Sequence, residues 1–341
     1  MKNTVKPREK RNLILFIISY IINNLASGVL YDTYINYLQE IYPSIATSFW
    51  AFYGYATFIS AAVLLVIPKT GYKKILVFCT LCTSVALFGV VYLDSPYILY
   101  IGTLLALTGI QLHFIMLAPY VAAYSEKLDD EQIDWYTRTY YMGYVGYLLA
   151  TYLGGAVVVR VFSVLSGISY EAAKEVTVFI AEMSGMLYGS YLKANEITLV
   201  LTGILSMTAL IPVFLIRENK EDYKNLKERN KVSFKIRMKE YFSVLLNKNA
   251  RVYLIYWAFI SFAMGLFTSY YTVFLNRILH IDKVTSSLMV SVSYLAIIVF
   301  MFFTPKAVRK FGEVGTIFLT MVLSVPFMLL IANGDRFGQY M

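Results

Sequence analysis

Apolar residues run through this chain in nine long blocks, at residues 13–38, 49–67, 75–93, 98–120, 140–159, 197–216, 252–275, 286–303 and 314–331. A helix needs about 20 residues to cross ~30 Å of hydrocarbon, and these blocks have roughly that length. No alternation of period two competes with them, so they read as helices and not as barrel strands. The predicted fold class is all-α: a polytopic membrane protein with nine transmembrane helices, numbered here as spans 1 to 9. Six spans (residues 1–216) precede a polar linker (217–251), and three follow it (252–341). The first block follows a basic N-terminus but is 26 residues long and has no small-x-small cleavage pattern. It reads as a retained helix, not a signal peptide.

The charges fix an expected orientation. Thirty Lys and Arg stand against 21 Asp and Glu, a net +9, yet only 15% of the 341 residues are charged and 58% are hydrophobic. With the N-terminus in the cytoplasm, 24 of the 30 cations fall on the cytoplasmic side and none falls inside a predicted span. That is the positive-inside bias of a plasma or inner membrane protein, and it argues against nucleic acid as the partner of the positive charge. Tyr31, Tyr34, Tyr37 and Tyr42 crowd the outer end of span 1, where amphipathic rings suit the headgroup layer. In the linker, Phe234, Met238, Tyr241, Phe242 and Leu245 recur at helical spacing among Lys235, Arg237, Lys239 and Lys248. Such a segment is either an amphipathic helix on an anionic inner leaflet or a plain connector. The outer connection 160–195 carries Glu171, Lys174, Glu175 and Glu182, and reads as an exposed helical cap.

Spans 1 and 7 align without a gap. Gly28 matches Gly265, Tyr34 matches Tyr271, Leu38 matches Leu275 and Ile41 matches Ile278, at a constant separation of 237 residues. The same separation pairs Pro68-Lys69 with Pro305-Lys306, and each pair opens a short basic loop containing a glycine. Both copies start on the same side, which makes this a parallel repeat. With six spans, a long basic linker and a second half, the chain resembles the major facilitator superfamily. The specific residues are Lys69, Gly71, Lys73 and Lys74 after span 2, and Arg309, Lys310 and Gly312 after span 8. The resemblance implies that these loops help switch conformation and that spans 1, 4 and 7 line a cavity. It also implies an MFS-like N-terminal bundle with a partial C-terminal bundle.

Three departures qualify the resemblance. Pro68 stands where the family's loop carries an Asp. Span 4 has no Arg, which proton-coupled members often carry. Span 5 has Ala150-Thr151 where drug antiporters often have Gly-Pro, so a drug/proton antiporter is disfavoured. Family members usually have twelve helices, and the expectation here is a sequence lacking the last three.

Candidate chemistry lies along span 1, where Tyr20, Asn24, Gly28, Asp32 and Asn36 form one stripe bordered by Asn23 and Ser27. Lipid rejects such a stripe, so it should face the bundle interior. Span 4 adds Thr108, Gln111 and His113, and span 7 adds Trp257, Ser261, Ser269 and Tyr271. At 1.5 Å per residue, Asn24 and Gln111 sit about 16 Å and about 13 Å from their inner ends, so they can share a central site. Asp32, about 28 Å up, is not expected to pair with His113, about 10 Å up. Asp32 reads as a proton or cation site or as a solvated carboxylate at the outer interface. His113 reads as a hydrogen-bonded interior histidine or a proton relay, and the two asparagines as pathway residues or interhelical glue. An aromatic-lined cavity would suit an apolar or cationic solute. Arg138 beside the acidic loop at Glu126–Asp134 reads as a gate pair or a solvated loop.

Other chemistries are set aside. Gly-Lys never occurs, so there is no P-loop. Cys79 and Cys82 have redox spacing but lie within span 3, where buried thiols are expected. Two His and two Cys give no basis for a metal site or cofactor. The sequence therefore predicts a monomeric, non-enzymatic secondary transporter that moves a small solute, with a proton or cation as possible co-substrate. The alternative is a truncated protein of the same fold without transport activity.

Overall fold

The computed structural model describes residues 7–93, 95–126, 132–223, 239, 242–243, 246–267 and 270–333. Among the described residues there are helices and no strands. Six helical stretches are long and apolar enough to cross a bilayer: Arg8–Ile41, Tyr72–Tyr92, Pro96–Ser125, Asp134–Ser166, Gly185–Leu215 and Lys283–Thr304. The bent pair Lys306–Gly312 and Val314–Leu330 makes a seventh if it is one span. The chain is thus a multi-pass membrane protein. Spans 2 and 7 do not meet that test. Span 2 is a helix of 16 residues, Phe49–Leu64. Span 7, expected as one helix, is Lys248–Phe267 followed by Tyr271–Arg277. The linker residues Phe234, Met238, Tyr241 and Leu245 lie outside the described residues, as do Ser269 and residues 127–131.

Proline explains where the long helices break. Pro119 and Pro212 have no N–H to return to the carbonyl four residues back. The helices accordingly end at Ile115 and Thr208, and resume at Leu117 and Leu210. Span 1 breaks differently. Its regular helix Pro7–Val29 passes into a π-helical turn, Leu30–Tyr34, before Ile35–Ile41 completes it. Shifted by the repeat separation, that turn falls on residues 267–271, the interval between the two described helices of span 7. The basic loops repeat just as closely. Gly71 has φ 81° and ψ 171°, and Gly312 has φ 72° and ψ 170°, a conformation nearly confined to glycine.

The core has one part around Tyr34, Leu38, Phe49 and Leu107 and another around Phe16, Tyr72, Met116 and Tyr120. Tyr34 and Tyr37, expected at the headgroups, are buried in the first part, and the Tyr34 hydroxyl meets Thr103 Oγ1 at 2.7 Å. A third cluster joins the 160–195 connection to Val284 at the start of span 8. That connection is helical, as Tyr170–Val176 and a 3-10 turn Thr177–Glu182. Span 5 is the central pillar, packed on span 1 along one side and on span 8 along the other. At Gly155 the approach to span 8 leaves no room for a side chain: a Cβ would lie 2.6 Å from that of Ser287.

Candidate functional site

Spans 1, 2, 4, 5, 7 and 8 surround a cavity of about 500 Å³. Span 1 supplies Asn23, Asn24, Ser27 and Tyr31 to its wall, and span 4 supplies Gln111 and His113. The structure thus brings together Asn23, Asn24, Gln111 and His113. Both asparagine side-chain amides donate back to their own helix, to Ser19 O and Tyr20 O, while Asn23 Oδ1 is buried with no partner among the described residues. Trp50 and Tyr53 stack at 4.6 Å and 3° on one side. On another side, Tyr147 and Tyr294 meet edge-on at 4.4 Å, with their hydroxyls 3.3 Å apart.

Trp257 and Ser261 do not join this wall. Both are exposed on the helix Lys248–Phe267, and span 7 reaches the cavity through Tyr271 and Thr272 of its second helix instead. The division of span 7 puts the chemistry one helix later than a continuous span would.

Asp32 lies beside the cavity, not in its lining. The solvated-carboxylate reading is overturned, because Asp32 is fully buried. Its Oδ1 accepts from Lys283 Nζ at 2.9 Å and its Oδ2 from Ser287 Oγ at 2.7 Å. Lys283, which the orientation argument placed in an exoplasmic segment outside the spans, is fully buried at the first turn of span 8. Its backbone N–H donates to Thr177 Oγ1 at 3.0 Å, and Asn276 Nδ2 donates to Thr177 O at 3.0 Å, so the outer cap braces the pair. Three more contacts join the halves at this end. Asn36 Nδ2 donates to Thr272 Oγ1 at 3.2 Å, Arg277 pairs with Glu40, and the Tyr270 hydroxyl bonds Gln39. At the Asp32 end, polar contacts thus tie the two repeats together beside the cavity.

The basic loop after span 2 is held by the second residue of the polar linker, Glu218. Glu218 accepts from Tyr72 N at 2.5 Å and from Lys73 N at 3.3 Å, neutralising the exposed amides of a helix N-terminus. Lys73 Nζ donates to Phe214 O at 2.6 Å and Ile216 O at 3.0 Å, which caps the end of span 6. Burial pushes the Glu218 carboxyl above its ordinary range, against the pull of those two N–H donors. Lys69 and Lys74 are exposed, as are Arg309 and Lys310 in the second copy, where Lys310 lies 5.2 Å from the Phe311 ring centre. At the same end, Arg8 pairs with Asp222 at 2.8 Å. Arg138 rests 5.9 Å from the Trp135 ring centre; much of its predicted acidic loop lies outside the described residues. Cys79 and Cys82 are both free and buried.

Lys283 and Glu218 escaped the sequence reading for one reason. Each lies at the edge of an apolar block, where a charge reads as a marker of topology. The only available signal was that Lys283 precedes Ser286-Ser287, a polar start to an otherwise apolar helix.

No protein-family profile matches the chain, and no curated protein matches it in sequence. Among solved structures it is similar to the crystal structure of the nucleoside transporter NupG, with a TM-score of 0.61 and 13% identity. The match covers 89% of this chain and 69% of that one. At such low identity the likeness is one of fold alone.

Proposed function

We propose that this chain is a secondary active transporter that moves a small solute by alternating access, driven by a solute or ion gradient. The observation that carries the reading is the cavity: both repeats line it, and polar contacts tie the repeats together beside it. In this reading all nine blocks cross a plasma or inner membrane, the N-terminus is cytoplasmic, and the tied end faces outward. The halves 1–216 and 252–341 then move against each other about spans 5 and 8. The Asp32–Lys283 pair is the outer bolt, broken when the cavity opens outward. Asp32 is in addition the residue placed to take up a proton or cation once Lys283 leaves it. The loops at Lys69–Lys74 and Arg309–Gly312 are the inner switch elements.

The test is solute flux in proteoliposomes, with a panel of radiolabelled small solutes and imposed proton or sodium gradients. The expected result is saturable uptake above protein-free vesicles, with gradient-driven accumulation lost in Asp32→Asn. A folded, inserted protein that moves no solute overturns the transporter reading. Unchanged gradient-driven uptake in Asp32→Asn at every pH removes Asp32 from the coupling.

A further inference from the structure

We infer that the pocket beside the first basic loop binds the phosphate headgroup of an anionic lipid. The inference needs the chain to lie in a bilayer; it does not need transport.

The pocket, of about 620 Å³, lies where the end of span 2, the start of span 3 and the first residues of the linker meet. Lys69, Lys73, Lys74, Arg217 and Lys220 line it, and Glu218 is the acid among its described lining residues. The Glu218 carboxylate is already engaged, because it accepts from the backbone N–H groups of Tyr72 and Lys73. Asp222 lies outside the lining and pairs with Arg8. Lys73 is committed to the carbonyls of Phe214 and Ile216, but Lys69, Lys74, Arg217 and Lys220 are exposed. Five cations against one acid leave a surplus of positive charge that calls for an anion.

A free phosphate and a lipid phosphate share the chemistry that answers this surplus. What flanks the pocket favours the lipid. Leu65 and Val66 precede the lining residues at the end of span 2, and Phe214 and Leu215 precede them at the end of span 6. All four are exposed, and each lies within four residues of a lining cation. In a membrane protein such apolar surface meets acyl chains. A lipid satisfies both surfaces, with its phosphate among the cations and its chains along the apolar turns; basic pockets between membrane helices take anionic headgroups in this way. A free phosphate satisfies the cations alone.

The second basic loop shows that cations by themselves do not build the pocket. Its Lys306, Arg309 and Lys310 are exposed, and Gly312 repeats the backbone conformation of Gly71. Glu218 crowds the space a Cβ would take at Gly71, whereas nothing among the described residues lies within 4 Å of one at Gly312. The linker walls the first loop, and the second has no such wall among the described residues.

The test is native mass spectrometry of the purified chain in detergent. The probes are dioleoyl phosphatidylglycerol, dioleoyl phosphatidylcholine and glycerol 1-phosphate. The two lipids share chains and a phosphate but differ in net charge, and the third probe carries the phosphate without chains. The expected result is saturable binding of phosphatidylglycerol, at least tenfold tighter than either of the others. Lys69→Gln, Lys74→Gln and Lys220→Gln together should weaken it about a hundredfold, since each cation beside an anionic lipid counts for about fivefold. Lys306→Gln, Arg309→Gln and Lys310→Gln together remove the same charge from the second loop and should change it less than about threefold. Equal weakening by the two triple variants, or none by the first, overturns the inference, as does equal binding of phosphatidylcholine. Glycerol 1-phosphate that binds as tightly and displaces the lipid makes the pocket a free-anion site and overturns it too. If the first triple variant does not fold, Lys74→Gln with Lys220→Gln is judged in the same way against Arg309→Gln with Lys310→Gln. Selective lipid binding by a protein that moves no solute sinks the transporter reading alone; flux without selective lipid binding sinks this inference alone.

Discussion

Replacing Asp32 by Asn leaves the Lys283 ammonium buried with no counterion. Both side chains are fully buried at a separation of 2.9 Å. Removing one partner from such a pair costs about 3–5 kcal/mol. If the pair is a bolt, that cost falls on the sealed conformation alone, because in the opened one water solvates Lys283. The sealed-to-open ratio then drops by roughly a hundredfold to a few thousandfold. A cysteine at Ser286, now 1% exposed, reports the opening by its reaction with a polar maleimide in a background where Cys79 and Cys82 are alanine. Labelling should be slow in the parent and fast in Asp32→Asn. In Asp32→Asn with Lys283→Met it should return most of the way, because both charges are gone. The bolt idea fails if Asp32→Asn melts at a lower temperature but labels no faster, or if the double variant labels as fast as the single one. Either result would make the pair a fixed structural element.

Three further outcomes are expected. Gly71→Ala and Gly312→Ala each place a side chain in a conformation that costs about 1–3 kcal/mol, so both should lower the melting temperature. Gly71→Ala should do so more, because its Cβ would meet Glu218 Oε2 at 2.5 Å, whereas nothing lies within 4 Å of Gly312; equal losses would refute the Glu218 contact. The raised Glu218 carboxyl means that the native protein holds this proton to higher pH than the unfolded chain. Its contribution is present in full below the ordinary carboxylate range and is lost as pH rises through the elevated value. Melting measured against pH should show that decline, and Glu218→Gln should flatten it. Gly155→Leu forces span 5 away from Ser287, which overpacking data put at about 1–3 kcal/mol; it should also speed labelling at position 286, and an unchanged rate would argue that spans 5 and 8 do not hold the bolt.

Six or seven of the nine spans were legible because apolar block length is a one-dimensional signal, whereas the proline breaks at Ile115 and Thr208 were not anticipated. The repeat was legible too: two glycines separated by the repeat distance plus the four-residue loop insertion adopt the same backbone angles. The amides of the cavity wall could be placed by counting residues along spans 1 and 4. What could not be read is partner choice. Asp32 and Lys283 are 251 residues apart, and the cap residue Thr177 that braces Lys283 shows no pattern of its own. Span 7 was read half correctly: Tyr271 was named and lines the cavity, but Trp257 and Ser261 were named beside it, because hydropathy runs across residues 268–269 without interruption.

The π turn at Leu30–Tyr34 and the division of span 7 cut off two short rods, Ile35–Ile41 and Tyr271–Arg277, of seven residues each. Each is about 10 Å long, and they are tied to one another through Asn36–Thr272 and Glu40–Arg277. They form a jointed clasp on top of two fixed trunks. Because the second rod also carries Tyr271 and Thr272 of the cavity wall, any swing of the clasp reshapes the chamber. Parting the lip and loosening the grip on a bound solute would then be one motion.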